Sequence, residues 1–180
     1  METVYKTTLQ SQMFIVKSLT IAGAYHFGVC LLLVQIYPKY SFDCAVIFVI
    51  GFFVGNILPS LILHIQYLRF SKGMELRTYS SREKIDISYQ GKIHSIYLRD
   101  RPKIKIMLGS ALFRGGRNGI TVWESYHYAT LDIGEPQPIV ITCLLVNNLQ
   151  RFFEQLGLSV QRERRIFPLI WEGKTTPQGG

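Results

Sequence analysis

Two sets of residues in this sequence have types and spacing that could do chemistry. The first set is polar and sits inside long apolar runs: His26, Asn56 and His64. An imidazole or a carboxamide surrounded by hydrocarbon needs a partner, so such residues line a proton or ligand path or clasp helices together. The second set is cationic. Arg99, Arg101, Lys103 and Lys105 fall within seven residues, and Arg162, Arg164 and Arg165 form another group. Clusters of this kind favour anionic lipid headgroups or an acidic partner, each basic residue contributing about 1 kcal/mol beside an anionic leaflet.

Catalytic motifs are missing from the sequence. Gly115-Gly116-Arg117-Asn118-Gly119 is glycine-rich but lacks the Lys-Ser/Thr that completes a phosphate loop. No GxSxG, HExxH or CxxC occurs. His94 and His127 have no Cys or Asp at ligand spacing, and the acids are too scattered for a carboxylate pair. These features predict a non-enzymatic protein with neither cofactor nor metal. Nucleic acid is not the expected partner, because no aromatic platform is interleaved with the cations.

The elements that position these residues follow from the distribution of charge. The 180 residues carry a net charge of +8, yet residues 18–68 hold only two charges, Lys39 and Asp43. That rules out an ordinary soluble globule, an acidic disordered chain and a disulfide-stapled secreted module. Leu19–Tyr37 is uncharged over 19 residues and Cys44–Leu68 over 25. Crossing about 30 Å of hydrocarbon takes roughly 20 helical residues, so both runs read as spans of a tight antiparallel hairpin. The first run is longer than a signal-peptide core of about 7–15 residues and has no small-x-small cleavage site, so an uncleaved anchor is expected.

Lys6 and Lys17 precede the hairpin, and Arg69, Lys72 and Arg77 follow it, against Lys39 alone in the turn. The positive-inside rule then puts both termini in the cytoplasm. Gly51 and Gly55 form a GxxxG, with Ala24 and Gly28 as its counterpart on the first span, and these small residues are expected to pack the hairpin. A turn centred near residues 40–41 sets His26 level with Gly55 and Asn56, which predicts a His26–Asn56 clasp. His64 lies near the inner interface and can reach water. Pro59 is expected to kink the second span. Cys30, Cys44 and Cys143 share no aqueous compartment in this topology, so no disulfide is predicted.

Beyond Leu68 the pattern changes to period two. Met74–Ser80, Lys84–Tyr89, Lys92–Arg99, Lys103–Ile106, Ser125–Ile133 and Pro138–Leu145 read as strands, and 158–170 as extended. Leu149, Phe152, Phe153 and Leu156 mark one amphipathic helix, with Asn147 as its cap and Gly157 as its stop. Short antiparallel strands with one such helix suit a small barrel or sandwich. The expected organisation is a cytoplasmic segment 1–18, a two-helix hairpin 19–68, a β domain 69–171 and a flexible tail 172–180.

Trp123, the Tyr126/Tyr128 pair, the run Ile139–Val146 and Arg164-Arg165-Ile166-Phe167 occur in a telling order. In this order the chain resembles bacterial (Bacteroidetes-type) two-transmembrane proteins with a pleckstrin-homology-like (PH-like) cytoplasmic domain. The resemblance implies a membrane hairpin plus a mainly-β, PH-like barrel or sandwich of about six or seven antiparallel strands with one helix. It brings no assigned activity or functional residues. The connections at 109–119 and 134–138 depart from plain hairpin turns. The function expected is binding, of anionic lipid or of a protein partner or a second copy, at the bacterial inner membrane. The alternative is a small oligomeric transport or channel subunit using the polar hairpin residues.

Overall fold

The computed structural model describes residues 2–79, 81, 83–89, 91–114, 121–135 and 137–170. The chain opens with strand β1, Glu2–Lys6. Thr8 then caps helix α1, Leu9–Ile36: its hydroxyl accepts the Ser11 N–H, while the Ser11 hydroxyl accepts the Thr8 N–H. That reciprocal box satisfies two donors that the helix start leaves free. A 3₁₀ turn, Pro38–Tyr40, reverses the chain. Helix α2, Ser41–Phe52, passes through a π-helical stretch, Phe53–Ile57, into α3, Leu58–Ser71. Both helical segments, Leu9–Ile36 and Pro38–Ser71, are long and apolar enough to cross a membrane by length and composition.

Strands β2 (Glu75–Tyr79), β3 (Lys84–Tyr89) and β4 (Lys92–Tyr97) follow. Then come β5 (Lys103–Leu108), the short helix α4 (Ser110–Phe113) and a 3₁₀ turn, Val122–Ser125. Strands β6 (His127–Asp132) and β7 (Ile139–Thr142), helix α5 (Leu149–Gln155) and strand β8 (Val160–Arg164) complete the order.

The first sheet has the order β1-β2-β3-β4, antiparallel throughout, with Glu2 opposite Tyr79 and Lys6 opposite Glu75. This corrects the expected separate segment 1–18. Its first residues are a strand of the β domain, and α1 starts at Leu9 rather than Leu19. The helical hairpin is therefore inserted between two paired neighbours, β1 and β2. The pairing brings its two ends to one place.

The second sheet has the order β7-β6-β5-β8. Here β8 pairs with β5 in parallel, Ile104 opposite Val160 and Leu108 opposite Arg164, contrary to the all-antiparallel expectation. Parallel neighbours require a crossover, and α5 with its flanking turns carries the chain across. Eight strands are present among the described residues, with further short helical turns besides α5.

Alternation places Leu76, Ile85, Ile87 and Ile96 of the first sheet against Ile104, Ile106, Leu131 and Ile141 of the second. Leu149, Phe152 and Phe153 of α5 join the same core. Each such side chain contributes roughly 1.5–3 kcal/mol when fully buried. The cap of α5 is Asn148, one residue later than expected; its side-chain oxygen accepts the Arg151 N–H at 3.0 Å. Gly157 ends the helix at φ +74°, a conformation that favours glycine. The expected tail 172–180, and residues 115–119 of the glycine loop, lie outside the described residues.

Candidate functional site

The outer face of the second sheet is a second core. Met107, Tyr126, Tyr128, Cys143 and Leu144 pack there against Ile15 and Ala22 of α1 and Leu63 and Tyr67 of α3. Leu63 and Tyr67 retain no exposure. The Tyr67 ring meets Tyr126 edge-on at 5.1 Å and Tyr128 at 6.2 Å. Its hydroxyl donates to the Pro168 carbonyl at 2.8 Å. Gln66 makes a two-way clamp with Ile170, donating through Nε2 at 2.7 Å and accepting through Oε1 at 3.0 Å. The Ser71 and Thr142 hydroxyls bond across the α3–β7 contact. Burial pushes the Cys143 thiol up to about 12, which keeps it protonated and unreactive.

The highest point of this contact is built by the π-helical stretch. Pro59 has no N–H, so the Gly55 carbonyl four residues earlier has no α-helical donor. The indole Nε1 of Trp123 donates to that carbonyl at 3.1 Å. Next to it, the Asn56 side-chain oxygen accepts the Val122 N–H at 3.2 Å, and Asn56 is buried. The π stretch is where the expected Pro59 distortion falls. It turns a freed carbonyl and a carboxamide toward the 3₁₀ turn.

The expected His26–Asn56 clasp is overturned by these bonds. His26 donates from Nδ1 to the carbonyl of Ala22, on its own helix, at 2.9 Å. Its ring lies 5.0 Å from Phe52, about one turn from the level expected. His64 faces the Tyr126 ring at 6.5 Å. The three polar residues do not converge on one path.

The small-residue expectation is likewise corrected. A Cβ added at Gly28, Gly51 or Gly55 would meet nothing within 4 Å, and Ala24 is exposed. The close approach between the helices is at Gly23, where a Cβ would lie 3.6 Å from the Phe52 ring.

Arg164 and Lys103 mark opposite ends of the second sheet, while Lys105 and Arg162 lie one register step apart near its middle. The register sets Arg164 beside Leu108, at the end where the Val122–Ser125 turn meets the hairpin. Lys103 starts β5 at the other end, roughly 17 Å away at ~3.3 Å per residue. Arg99 lies over the Tyr97 ring and 3.7 Å from Asp100, with both charges exposed. Arg101 follows in the left-handed conformation at φ +46°, and Lys105 is exposed on β5. At the hairpin end, Arg162 lies over the Phe113 ring at 5.3 Å and donates to the Phe113 carbonyl at 2.6 Å. Arg164 donates to Ser110 Oγ at 3.1 Å, and Arg165 pairs with Glu163.

Two further features escape the sequence reading. Asp86, buried in β3, accepts from Tyr79 at 2.6 Å, Ser95 at 2.7 Å and Lys84 at 3.0 Å. Burial raises its pKa, but the three donors together outweigh that and hold it below the ordinary carboxylate value. A carboxylate so fully engaged is structural. The second feature is a cavity of about 600 Å³ at the base of the hairpin, lined by Ile65, Leu68 and Met74 and by the cations Lys6, Arg69 and Lys72. Glu75, also on its wall, pairs with Lys6 at 2.7 Å. Among the described residues no cluster of His, Cys, Asp or Glu is placed to hold a metal ion.

Two facing sheets, a helix against their common core and a helical insertion between paired strands define a mainly-β domain of the PH type. The family model for the PH domain matches residues 4–152, from within β1 across the hairpin to α5, and the chain belongs to that family. PH domains commonly bind lipids or proteins and are generally non-catalytic. No curated protein and no solved structure matches the chain.

Proposed function

We propose that the chain is a non-enzymatic, membrane-anchored PH protein of the bacterial inner membrane. The hairpin spans the bilayer, both termini are cytoplasmic, and the domain binds anionic lipid headgroups or a protein partner at the leaflet. The observation that carries this reading is the insertion between β1 and β2. The hairpin leaves the domain and returns to the same strand pair, and most of its apolar surface is uncovered. The basic residues Lys6, Lys17, Arg69, Lys72 and Arg77 flank its base, against Lys39 at its tip. The cationic, partly apolar cavity at that base supports the headgroup reading.

The alternative of an oligomeric channel subunit draws no support from the polar hairpin residues. Asn56 is committed to Val122, and His26 to its own helix.

The test is topological. Cys30, Cys44 and Cys143 are replaced, and single cysteines are introduced by Lys39→Cys or Lys72→Cys. In intact cells a membrane-impermeant maleimide is expected to label position 39 and not position 72. Equal labelling at both positions would sink the spanning reading. Extraction in mild detergent, with mass spectrometry of what co-purifies, then separates a protein partner from lipid alone.

A further inference from the structure

The hairpin end of the second sheet carries exposed apolar side chains beside its arginines, and the hairpin is too short to hold it clear of a bilayer. We propose that this end of the domain is sunk into the headgroup-to-acyl boundary of an anionic leaflet. The surface consists of Phe113, Trp123, Ile166 and Phe167 together with Arg162, Arg164 and Arg165. The inference rests on the spanning reading above.

The length of the hairpin above the domain sets how close the domain lies to the lipid. The domain grips the hairpin at Gly55 and Asn56. Phe52 against Gly23 lies about one turn nearer the tip. Between the grip and the turn lie about 14 residues of the second span. At ~1.5 Å per residue they reach roughly 21 Å. The hydrocarbon core is about 30 Å thick, so roughly six more residues below the grip lie inside it. On α1 the roughly 20 residues that fill the same thickness, counted back from Ile36, end at Lys17. The apolar run that fits the bilayer therefore extends below the level at which the domain is attached. Whatever the domain presents at that level meets lipid.

The domain presents apolar side chains and arginines at that level. After β8 the chain reverses at Ile166, which is 78% exposed. Phe167 packs on Trp123 at 5.4 Å between ring centres, and Trp123 is bonded to the hairpin. Phe113 is partly exposed at the end of α4, with Arg162 stacked over it. Aromatic and aliphatic groups next to snorkelling arginines are the composition that suits a membrane–water boundary. The charge is complementary to an anionic leaflet. The opposite end of the sheet, with Lys103 and Arg101, points into the cytoplasm. The arrangement fixes the orientation of the domain, leaving the Arg99–Lys105 group and the β4 edge free for a soluble partner.

The experiment uses the full chain reconstituted in vesicles of phosphatidylethanolamine and phosphatidylglycerol. In the cysteine-replaced background, nitroxides are attached at Ile166→Cys, Ile47→Cys and Lys103→Cys. Collision with oxygen is compared with collision with a water-soluble nickel chelate. The expected result is oxygen-dominated relaxation at positions 47 and 166 and nickel-dominated relaxation at 103. Nickel-dominated relaxation at 166 with 47 still buried overturns the inference and leaves the anchor intact. Nickel-dominated relaxation at both positions overturns the anchor as well. A label at 166 shielded from both colliders means that protein covers this end, which also overturns the inference. A second measurement is independent of labelling: in Trp171→Phe protein, Trp123 emission is expected to be quenched by lipids brominated near the headgroup. No quenching at any bromine depth counts against the proposal.

Discussion

The lower and upper halves of the helical hairpin are built from the same kind of residue and have opposite fates. In the lower half, Leu63 and Tyr67 retain no exposure, and Gln66, Tyr67 and Ser71 are hydrogen-bonded to the β domain. In the upper half, Phe42 is 77% exposed and Ile47 is 67% exposed. Its cross-helix ring contact is between His26 and Phe52. A hydropathy window sees one apolar run in each helix. The structure divides each run into a part that is protein core and a part that is left for another solvent. The difference is made by interruptions: a tyrosine, a glutamine and a serine that bond outward where a pure span would carry leucine.

The largest effect that would break this contrast is at Tyr67. Tyr67→Ala removes a fully buried ring and leaves the Pro168 carbonyl without its donor, so a loss of about 3–5 kcal/mol is expected. Ile47→Ala should stay within ~0.5 kcal/mol. Denaturant unfolding of the purified chain in detergent, followed by near-UV circular dichroism, reads both. Equal losses would mean that the two halves are not different environments.

Glycines sharpen the contrast next. A Cβ at Gly109 would lie 2.5 Å from the Glu124 carbonyl oxygen, with backbone atoms on every near contact. Gly109→Ala should cost roughly 1–3 kcal/mol, because the backbone must shift. Gly51→Ala meets open space and should cost nothing measurable in the isolated chain. A clear loss at Gly51 would show that a second copy packs on that face.

Asn56 and His26 test the polar residues. Asn56→Leu strands the buried Val122 N–H, at a cost of about 1–3 kcal/mol. His26→Leu gives up a bond to a carbonyl already within its own helix and should cost less than about 1 kcal/mol. The reverse order would restore a functional or clasping role to His26.

Much of the β domain was readable from local pattern, because one buried face imposes period two. Ile85 and Ile87, Ile104 and Ile106, and Ile139 and Ile141 all point inward as alternation requires. The amphipathic set of α5 was equally plain. Features that depend on distant pairing were not readable. Strand β1 has five residues, and its partners lie some seventy positions away. Alternation is blind to strand direction, so the parallel β5–β8 pair left no local sign. Lys103 and Arg164 looked equivalent because their separation exists only in the register of the second sheet. Pro59 signalled a distortion, but the value of the freed Gly55 carbonyl depends on where Trp123 stands. The same limit misdirected the Asn56 reading: levelling two helices ignores a third element that takes the polar atom first.

The smallest effect separates the docked junction from the rest by pH. His127 begins β6 at the join with the 3₁₀ turn and is buried. Its Nδ1 lies 3.1 Å from the Ser125 carbonyl, which can only accept, so Nδ1 carries the proton. Burial holds the His127 pKa below the ordinary value, and the carbonyls of Ser125 and Asn147 pull the other way without winning. The unfolded chain therefore binds a proton more readily than the folded one near this site. Stability is full above the unfolded histidine pKa of about 6.5 and falls as pH drops below it. Asp86, whose folded pKa is depressed, acts in a separate window: its contribution is present above about pH 4 and is lost only below it. Denaturant midpoints between about pH 7.5 and 5.5 should accordingly decline with acid, and His127→Gln should flatten that decline. An unchanged slope in the variant would assign the acid sensitivity elsewhere. A flattened slope would locate it at the turn that ties Trp123 and Val122 to the hairpin, where proton uptake loosens the grip of the domain on its own helices.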